Sequence, residues 1–418
     1  MAFDANDLSP IESHVIDRTR EGEIADFSPM IGPDGVKPLV RAYFLRRLLI
    51  GLNPEWAVRM PGVRVRGARI EGVLDLSDCS GAGGAGLPAL ELLDCEIPDG
   101  MDFSHARLAR LALDGSTLKS LRAHHARFDG PVTFRGIAAA VDGEECALDL
   151  EGAVIEGAVD GKGAHLACDP TAPANDGIGV FALNLRNVRI AGNAILRPNF
   201  RAIGGVSVFG ASIGGVLDLR GARITVNHRY ALSAGNLECA GAVHLNAGFR
   251  CEGPIWLRGS RLKDGLHCDG GAIMLPDDKL QVDALNAEAC VIDGGIQFRN
   301  GFAANGTINL RGARVGGTIT LEKAQLSSVK AFALDAANAE IDGEVIGDVT
   351  AKAGLRFVSA TISRNVDLCN CTIIGLRNAS GATEHGVALE AVNIRVNGAL
   401  RMRGANVKGE IKLADARI

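Results

Sequence analysis

From Gly67 onward, apolar and polar residues alternate in short, recurring phrases. Ala68-Arg69-Ile70-Glu71-Gly72-Val73-Leu74-Asp75-Leu76 returns as Ala211-Ser212-Ile213-Gly214-Gly215-Val216-Leu217-Asp218-Leu219, and again between Ala313 and Leu321. The unit is eleven residues long, with a small residue at position 1, Ile, Val or Leu at position 3, usually Gly at position 5, and an aliphatic residue or Phe at positions 7 and 9. Gly306 and Gly317 are 11 apart, as are Gly398 and Gly409. A period of two belongs to a strand with one buried face. A longer period lies above it: Ala182-Leu183, Ala231-Leu232, Ala284-Leu285, Ala333-Leu334 and Ala388-Leu389 follow one another at steps of 49, 53, 49 and 55. Each block carries an insert, such as residues 274–281 or 378–384, whose Pro, Asp, Asn and Gly content reads as surface loop.

A single unit buries too few side chains to offset its backbone entropy, so like units must stack and share their cores. Small residues at position 1 and Gly at position 5 let the backbone bend at corners. Two units, about 22 residues, then make one roughly four-sided turn. The expected fold is an all-β solenoid, a parallel β-helix over residues 61–418. Residues 1–60 obey other rules and read as a helical N-terminal cap. Ser9-Pro10-Ile11-Glu12 is a capping box opening a helix through Arg20. A second helix is expected over residues 38–50, with Val40, Phe44, Leu45 and Leu48 on one side. Laid over the first turn, such helices would shield an exposed sheet edge. The chain closes on Ala414-Asp415-Ala416-Arg417-Ile418, the start of a fresh unit, so this edge is expected to pair with a second copy or to be shielded otherwise.

Composition narrows the function classes. With 53 glycines, 4% aromatic and 47% hydrophobic residues, the chain folds around a small-residue core and is neither disordered nor collagenous. Lys plus Arg is 44 against 49 Asp plus Glu, a net charge of −5, too mild for a nucleic-acid partner. Residues 1–10 carry Asp4 and Asp7 and no apolar leader, so a cytoplasmic location is expected. The most apolar stretch, residues 43–52, is interrupted by Arg46 and Arg47 and does not span a bilayer. As a basic amphipathic helix it could touch a membrane surface, but capping suits it better. The ten cysteines include no C-x-x-C pair and are expected to be free thiols.

Several residues invite chemistry. Gly81-Ala82-Gly83-Gly84-Ala85-Gly86 satisfies G-x-G-x-x-G, yet strand-like phrases continue after it where a dinucleotide site needs a helix, so no cofactor is expected. His244 and His267 both hold position 8, two units apart, and Trp256 holds it in the unit between. Cys251, Cys268 and Asp269 lie nearby, but Cys268 should point inward, which favours a stacked surface His pair and no metal. Cys371 and Cys290 fill small core sites at position 1. Arg69, Arg223, Arg261 and Arg314 recur in Arg-Gly-Ala-Arg or Arg-Gly-Ser-Arg corners. Stacked, they could form a basic stripe for a partner's phosphates or carboxylates, unless acids such as Asp75, Asp218 and Glu322 interleave with them. Asp75, Asp218 and Asp367 share position 8 many turns apart, so no catalytic acid pair is implied. His124-His125 falls where the repeat is weak.

With Leu310-Arg311-Gly312-Ala313-Arg314-Val315-Gly316-Gly317 and Ala284-Leu285-Asn286-Ala287-Glu288, the chain resembles a bacterial repeat family, common in actinobacteria, that is labelled membrane-associated oxidoreductase. It is also similar to the pentapeptide-repeat proteins, as a divergent relative. The resemblance implies a right-handed β-helix. The label implies a redox cofactor but brings no catalytic motif that maps onto these residues, and mimicry of duplex DNA, which the pentapeptide likeness suggests, fits poorly with a net −5. The expected function is a non-catalytic scaffold or protein-interaction module, self-associating through its C-terminal turn; the alternative is an oxidoreductase.

Overall fold

The computed structural model describes residues 8–81, 84–143, 145–168, 181–226, 230–277, 280–376 and 385–418, which form two α-helices, a short 3-10 turn and otherwise short parallel strands. The chain divides into two compact units: residues 1–173, 180–196 and 200–203, and residues 174–179, 197–199 and 204–418. Each is an all-β parallel solenoid, and the first carries a small helical cap.

In the first unit the strands pair in four parallel ladders, named I to IV in the order in which one turn visits them. Arg107–Leu108 (I), Leu111–Ala112 (II), Thr117–Leu118 (III) and Leu121–Arg122 (IV) precede the return to ladder I at Arg127–Phe128. Leu90 pairs in register with Leu111, Leu111 with Val132, and Arg107 with Arg127. A turn here is therefore slightly shorter than two eleven-residue units. The stretch holding His124 and His125 is such a shortened repeat, and not a break in the pattern. Alternation does what the pattern requires: Arg127 is exposed and Phe128 buried, Val132 buried and Thr133 only half-buried.

The cap is more than helical. Helix α1, Pro10–Glu21, begins with the capping box: Glu12 N–H donates to Ser9 Oγ and Ser9 N–H to Glu12 Oε2. The expected second helix is split. Leu39–Arg41 is a strand pairing with Arg69–Glu71 on ladder III, and α2 is confined to Ala42–Leu49. Ala25–Asp26 likewise pairs with Val65 and Arg66 on ladder II. The apolar stripe of α2 buries Phe44, Leu45 and Leu48, and Phe44 meets Trp56 with ring centroids 5.7 Å apart. Thus the cap closes the first turn by adding strands to it as well as by covering it.

The second unit repeats the four-ladder arrangement. Its ladder II runs through Leu217–Asp218, Val243–His244, Leu266–His267, Ile296–Gln297, Ile319–Thr320, Val345–Ile346, Val366–Asp367 and Leu400–Arg401. The turn from Val243 to Leu266 is short, whereas those from Leu266 to Ile296 and from Val366 to Leu400 are longer. The additional residues come between the strands of ladder III and those of ladder IV in sequence, and the register of the strands survives them. Of the expected inserts, residues 278–279 and 378–384 lie outside the described residues. Two long strands, Gln325–Asp335 and Thr350–Arg356, serve ladders III and IV together, with register shifts where the others turn a corner.

The backbone bends at position 5 as expected, at Gly215, Gly294 and Gly317, and it turns a second kind of corner at position 11. At position 11 the backbone enters the left-handed region in turn after turn, whether the residue is Asn236, Asn338 and Asn393 (φ 54°, 57° and 57°) or Gly312 (φ 62°). Asn and Gly tolerate that conformation best, which explains the composition of the corner. Position 5 has a further reason to be Gly. Gly294 has no left-handed φ, but a Cβ there would collide with the carbonyl oxygen of Asp264 in the preceding turn. At this bend the close stacking of backbones excludes a side chain.

Candidate functional site

The outward positions of the second unit collect most of the residues singled out in the sequence. His244 and His267 are register partners on ladder II, their rings stacked with centroids 5.0 Å apart and planes inclined by 25°. Asp218 precedes them in this column and Gln297 follows. Nδ1 of His244 is buried without a hydrogen-bond partner among the described residues. Burial first, and then the facing His267, push the His244 pKa below the ordinary imidazole value. Burial pushes Asp218 upward, but Arg220 donates to it through Nε at 2.9 Å and Nη2 at 2.6 Å, and Arg197 approaches within 2.5 Å; these cations win and hold it below the usual carboxylate range.

Trp256 is not in that column. Two units make one turn, so the same position in the intervening unit falls on ladder IV, where Trp256 pairs in register with Ser233 and Asn286 and packs on Tyr230 at 5.3 Å. Cys251 and Cys268 are buried, Cys268 on the inner side of its strand from His267. Among the described residues no three His, Cys, Asp or Glu side chains come together to hold a metal ion.

The four arginines do not form one stripe. Arg69 and Arg223 lie on ladder III of their respective units, whereas Arg261 and Arg314 lie on ladder I with Val291 between them. The corner motif recurs at both corners of a turn, which sends alternate copies to different faces. Three of them meet acids: Arg69 with Glu96 at 3.2 Å, Arg261 with Glu238 at 3.8 Å and Arg314 with Glu340 at 2.9 Å. These acids are ladder partners, whereas the sequence pattern had pointed to Asp75, Asp218 and Glu322. Such exposed pairs add little to stability. Arg223 pairs in register with Arg250 and has no ion pair among the described residues.

The remaining candidates settle into structural places. Asp218 and Asp367 share ladder II, but Asp75 is on ladder IV, in register with Asp102, a neighbouring acid that sequence reasoning missed. Asp75 has Arg46 at 3.4 Å and Asp102 has Arg122 at 3.9 Å, so each is balanced by its own cation. His124 Nε2 lies 2.9 Å from Asp149 Oδ2, and His125 stacks on His105 at 5.5 Å. After the glycine-rich loop, of which residues 82–83 lie outside the described residues, the chain enters strand Leu90–Leu93 of ladder II and not a helix. None of the ten cysteines forms a disulfide. Burial pushes the thiols of Cys95, Cys290 and Cys371 up to about 11 and that of Cys146 to about 12.

Residues 400–418 touch all four ladders through Leu400–Arg401, Asn406–Lys408, Glu410–Lys412 and the Arg417 bridge to Arg395. Here the inward positions are open. Ile411 is 44% exposed, whereas its partner one turn back, Leu389, is 1% exposed; Leu413 and Ile418 are also exposed. No helix among the described residues is long and apolar enough to cross a membrane. No family model matches the chain, and no curated protein matches it.

Proposed function

We propose that this chain is a non-catalytic interaction scaffold which associates with a second copy of itself through the turn formed by residues 400–418. The observation that carries the reading is the exposed apolar row of Ile411, Leu413 and Ile418. One turn back, Leu389 is covered by the turn that follows it, so the same kind of surface is competent to be covered again. A symmetric pairing of two such surfaces would bury them with a single, self-complementary patch.

The outward polar groups support a presenting role. Several of them are engaged across turns: Asp335 with Arg356 at 3.5 Å, Arg356 with Glu390 at 3.0 Å, and Asp283 with Lys330 at 2.7 Å. Side chains tied to one another in this way suit recognition by shape more than proton transfer. Light scattering on the full chain tests the proposal. Twice the monomer mass is expected, reverting to the monomer mass in the double variant Ile411→Asp, Leu413→Asp. A wild-type monomer at tens of micromolar would refute it.

A further inference from the structure

The first unit carries an open groove of about 730 Å³ on the outside of ladder III. Its origin lies in three consecutive turns whose outward residues are mostly short, Thr117, Ala138, Ala140 and Ala167, with Lys119 and His165 among them. Thr117 and Ala138 are register partners in one column, and Ala140 and Ala167 in the other, over the strand-interior Leu118 and Leu166. Long side chains stand at both ends: Arg69 and Glu96 before the groove, Arg201 and Ile203 after it. The result is a trough with a methyl-lined floor, of a volume in the range of small-molecule sites.

The charges at its ends are unequal. Glu96 is the one acid among the described lining residues, and it is engaged by Arg69 at 3.2 Å and Lys37 at 3.5 Å. At the far end His165 and Arg201 are register partners, and neither has an ion pair or hydrogen bond to a side chain among the described residues. The acid at one end is therefore matched by cations of its own, whereas at the other end Arg201 presents a guanidinium with no acid beside it among the described residues, next to an imidazole. Between them run the methyls of Thr117, Ala138, Ala140 and Ala167, with the Lys119 ammonium drawn toward Glu145 at 3.9 Å, and the floor ends at Ile97 and Pro98. With strands about 4.8 Å apart, the four steps from Glu96 to Arg201 span roughly 19 Å.

We propose that this groove binds a free long-chain fatty acid. The carboxylate lies on Arg201 and His165, and the acyl chain runs over Ala138 and Ala140 towards Ile97 and Pro98. A guanidinium matches a carboxylate through two parallel N–H donors, and each methylene removed from water adds to affinity. The groove is distinct from the turn of residues 400–418, so its occupancy and self-association fail or hold independently.

Titration calorimetry on the full chain with dodecanoate, with dodecanol as the uncharged chain of equal length, tests this site. Saturable one-to-one binding of dodecanoate is expected, with dodecanol weaker by about tenfold or more. Arg201→Glu should weaken dodecanoate by about tenfold or more, and Ala140→Trp, which fills the floor from an outward position, should abolish it. If Ala140→Trp proves unfolded by circular dichroism, His165→Ala takes its place, with an expected loss of about threefold. Binding that is absent, unchanged in Arg201→Glu, or matched by dodecanol would overturn the proposal. Co-sedimentation with phosphatidylglycerol vesicles in place of dodecanoate binding would overturn it in favour of a membrane surface.

Discussion

His244 and His267 sit one turn apart in the same outward column, with ring centroids 5.0 Å apart and His244 Nδ1 buried without a partner among the described residues. A proton on His244 would place charge in a half-buried site facing another imidazole, and its folded pKa is lowered accordingly. The unfolded chain then takes up the proton first as pH falls. Stability should be flat above the unfolded value of about 6.5 and decline below it until folded His244 itself titrates. Asp218 titrates in a more acidic window, because its lowered folded pKa gives a contribution that is complete above the usual carboxylate value and lost as pH falls from there through the folded value. Urea midpoints at pH 7.5 and pH 5 should therefore differ less in His244→Gln than in the wild type, and equal differences would contradict this.

Glu12 ties the cap together. Its buried carboxylate accepts from Ser9 N–H and from the backbone N–H, Nε and Nη2 of Arg41. Arg41→Ala leaves that carboxylate without its cation and should cost about 3 kcal/mol. Ser9→Ala removes only the cap hydroxyl and should cost about 1 kcal/mol. Equal losses in denaturant melts would show that the Arg41 pairing is not the tie.

Two glycines separate two kinds of constraint. Gly312→Ala meets no atom within 4 Å but places a side chain at φ 62°, which should cost about 1 to 2 kcal/mol. Gly294→Ala drives a methyl onto the Asp264 carbonyl and should cost about 3 kcal/mol or more, the upper end of overpacking. The reverse order in urea melts would contradict the stacking of residues 264 and 294.

How much of this was legible follows from which forces are local. The period of two at Ile70, Leu74 and Leu76 fixes the strand and its buried face, and the capping box at Ser9 and Glu12 fixes where α1 begins, because each depends on neighbours in sequence. Which face a unit occupies depends on counting turns. Arg223 and Arg261, alike in motif, part company because the corner recurs twice per turn, and loops of unequal length blur the count. The Leu39–Arg41 strand was hidden because its pairing with Arg69–Glu71 is non-local and competes with a helical stripe. The left-handed corner was visible in principle where Asn, Asp, His or Gly holds position 11, but not at Ala289, Lys323 or Ser359, which adopt it as well. The groove was not, since an outward Ala such as Ala138 acquires meaning only from the longer side chains a turn or more away.

Thiol reactivity should follow depth. Cys95, Cys290 and Cys371 are buried with thiols near 11, so at pH 8 little thiolate is available. Cys146 is less buried, but its thiol is pushed to about 12. Cys79 and Cys369 are the half-exposed pair on the surface and should react first with an aromatic disulfide reagent. The native chain should show about two fast equivalents, and the unfolded chain all ten. Rapid reaction of Cys95 or Cys290 in the native state would contradict their placement.

The central claim is that the chain winds in stacked parallel turns whose equivalent residues meet in register. Glu238 and Arg261, both well exposed, are direct partners on ladder I, whereas Arg250, nearer to Glu238 in sequence, lies on ladder III. Mild oxidation of Glu238→Cys with Arg261→Cys should give an intramolecular disulfide by peptide mapping, because facing residues on neighbouring strands bring their Cβ atoms within bonding reach. Glu238→Cys with Arg250→Cys should give none. Equal cross-linking of both pairs, or of the second alone, would contradict the winding on which every placement above depends.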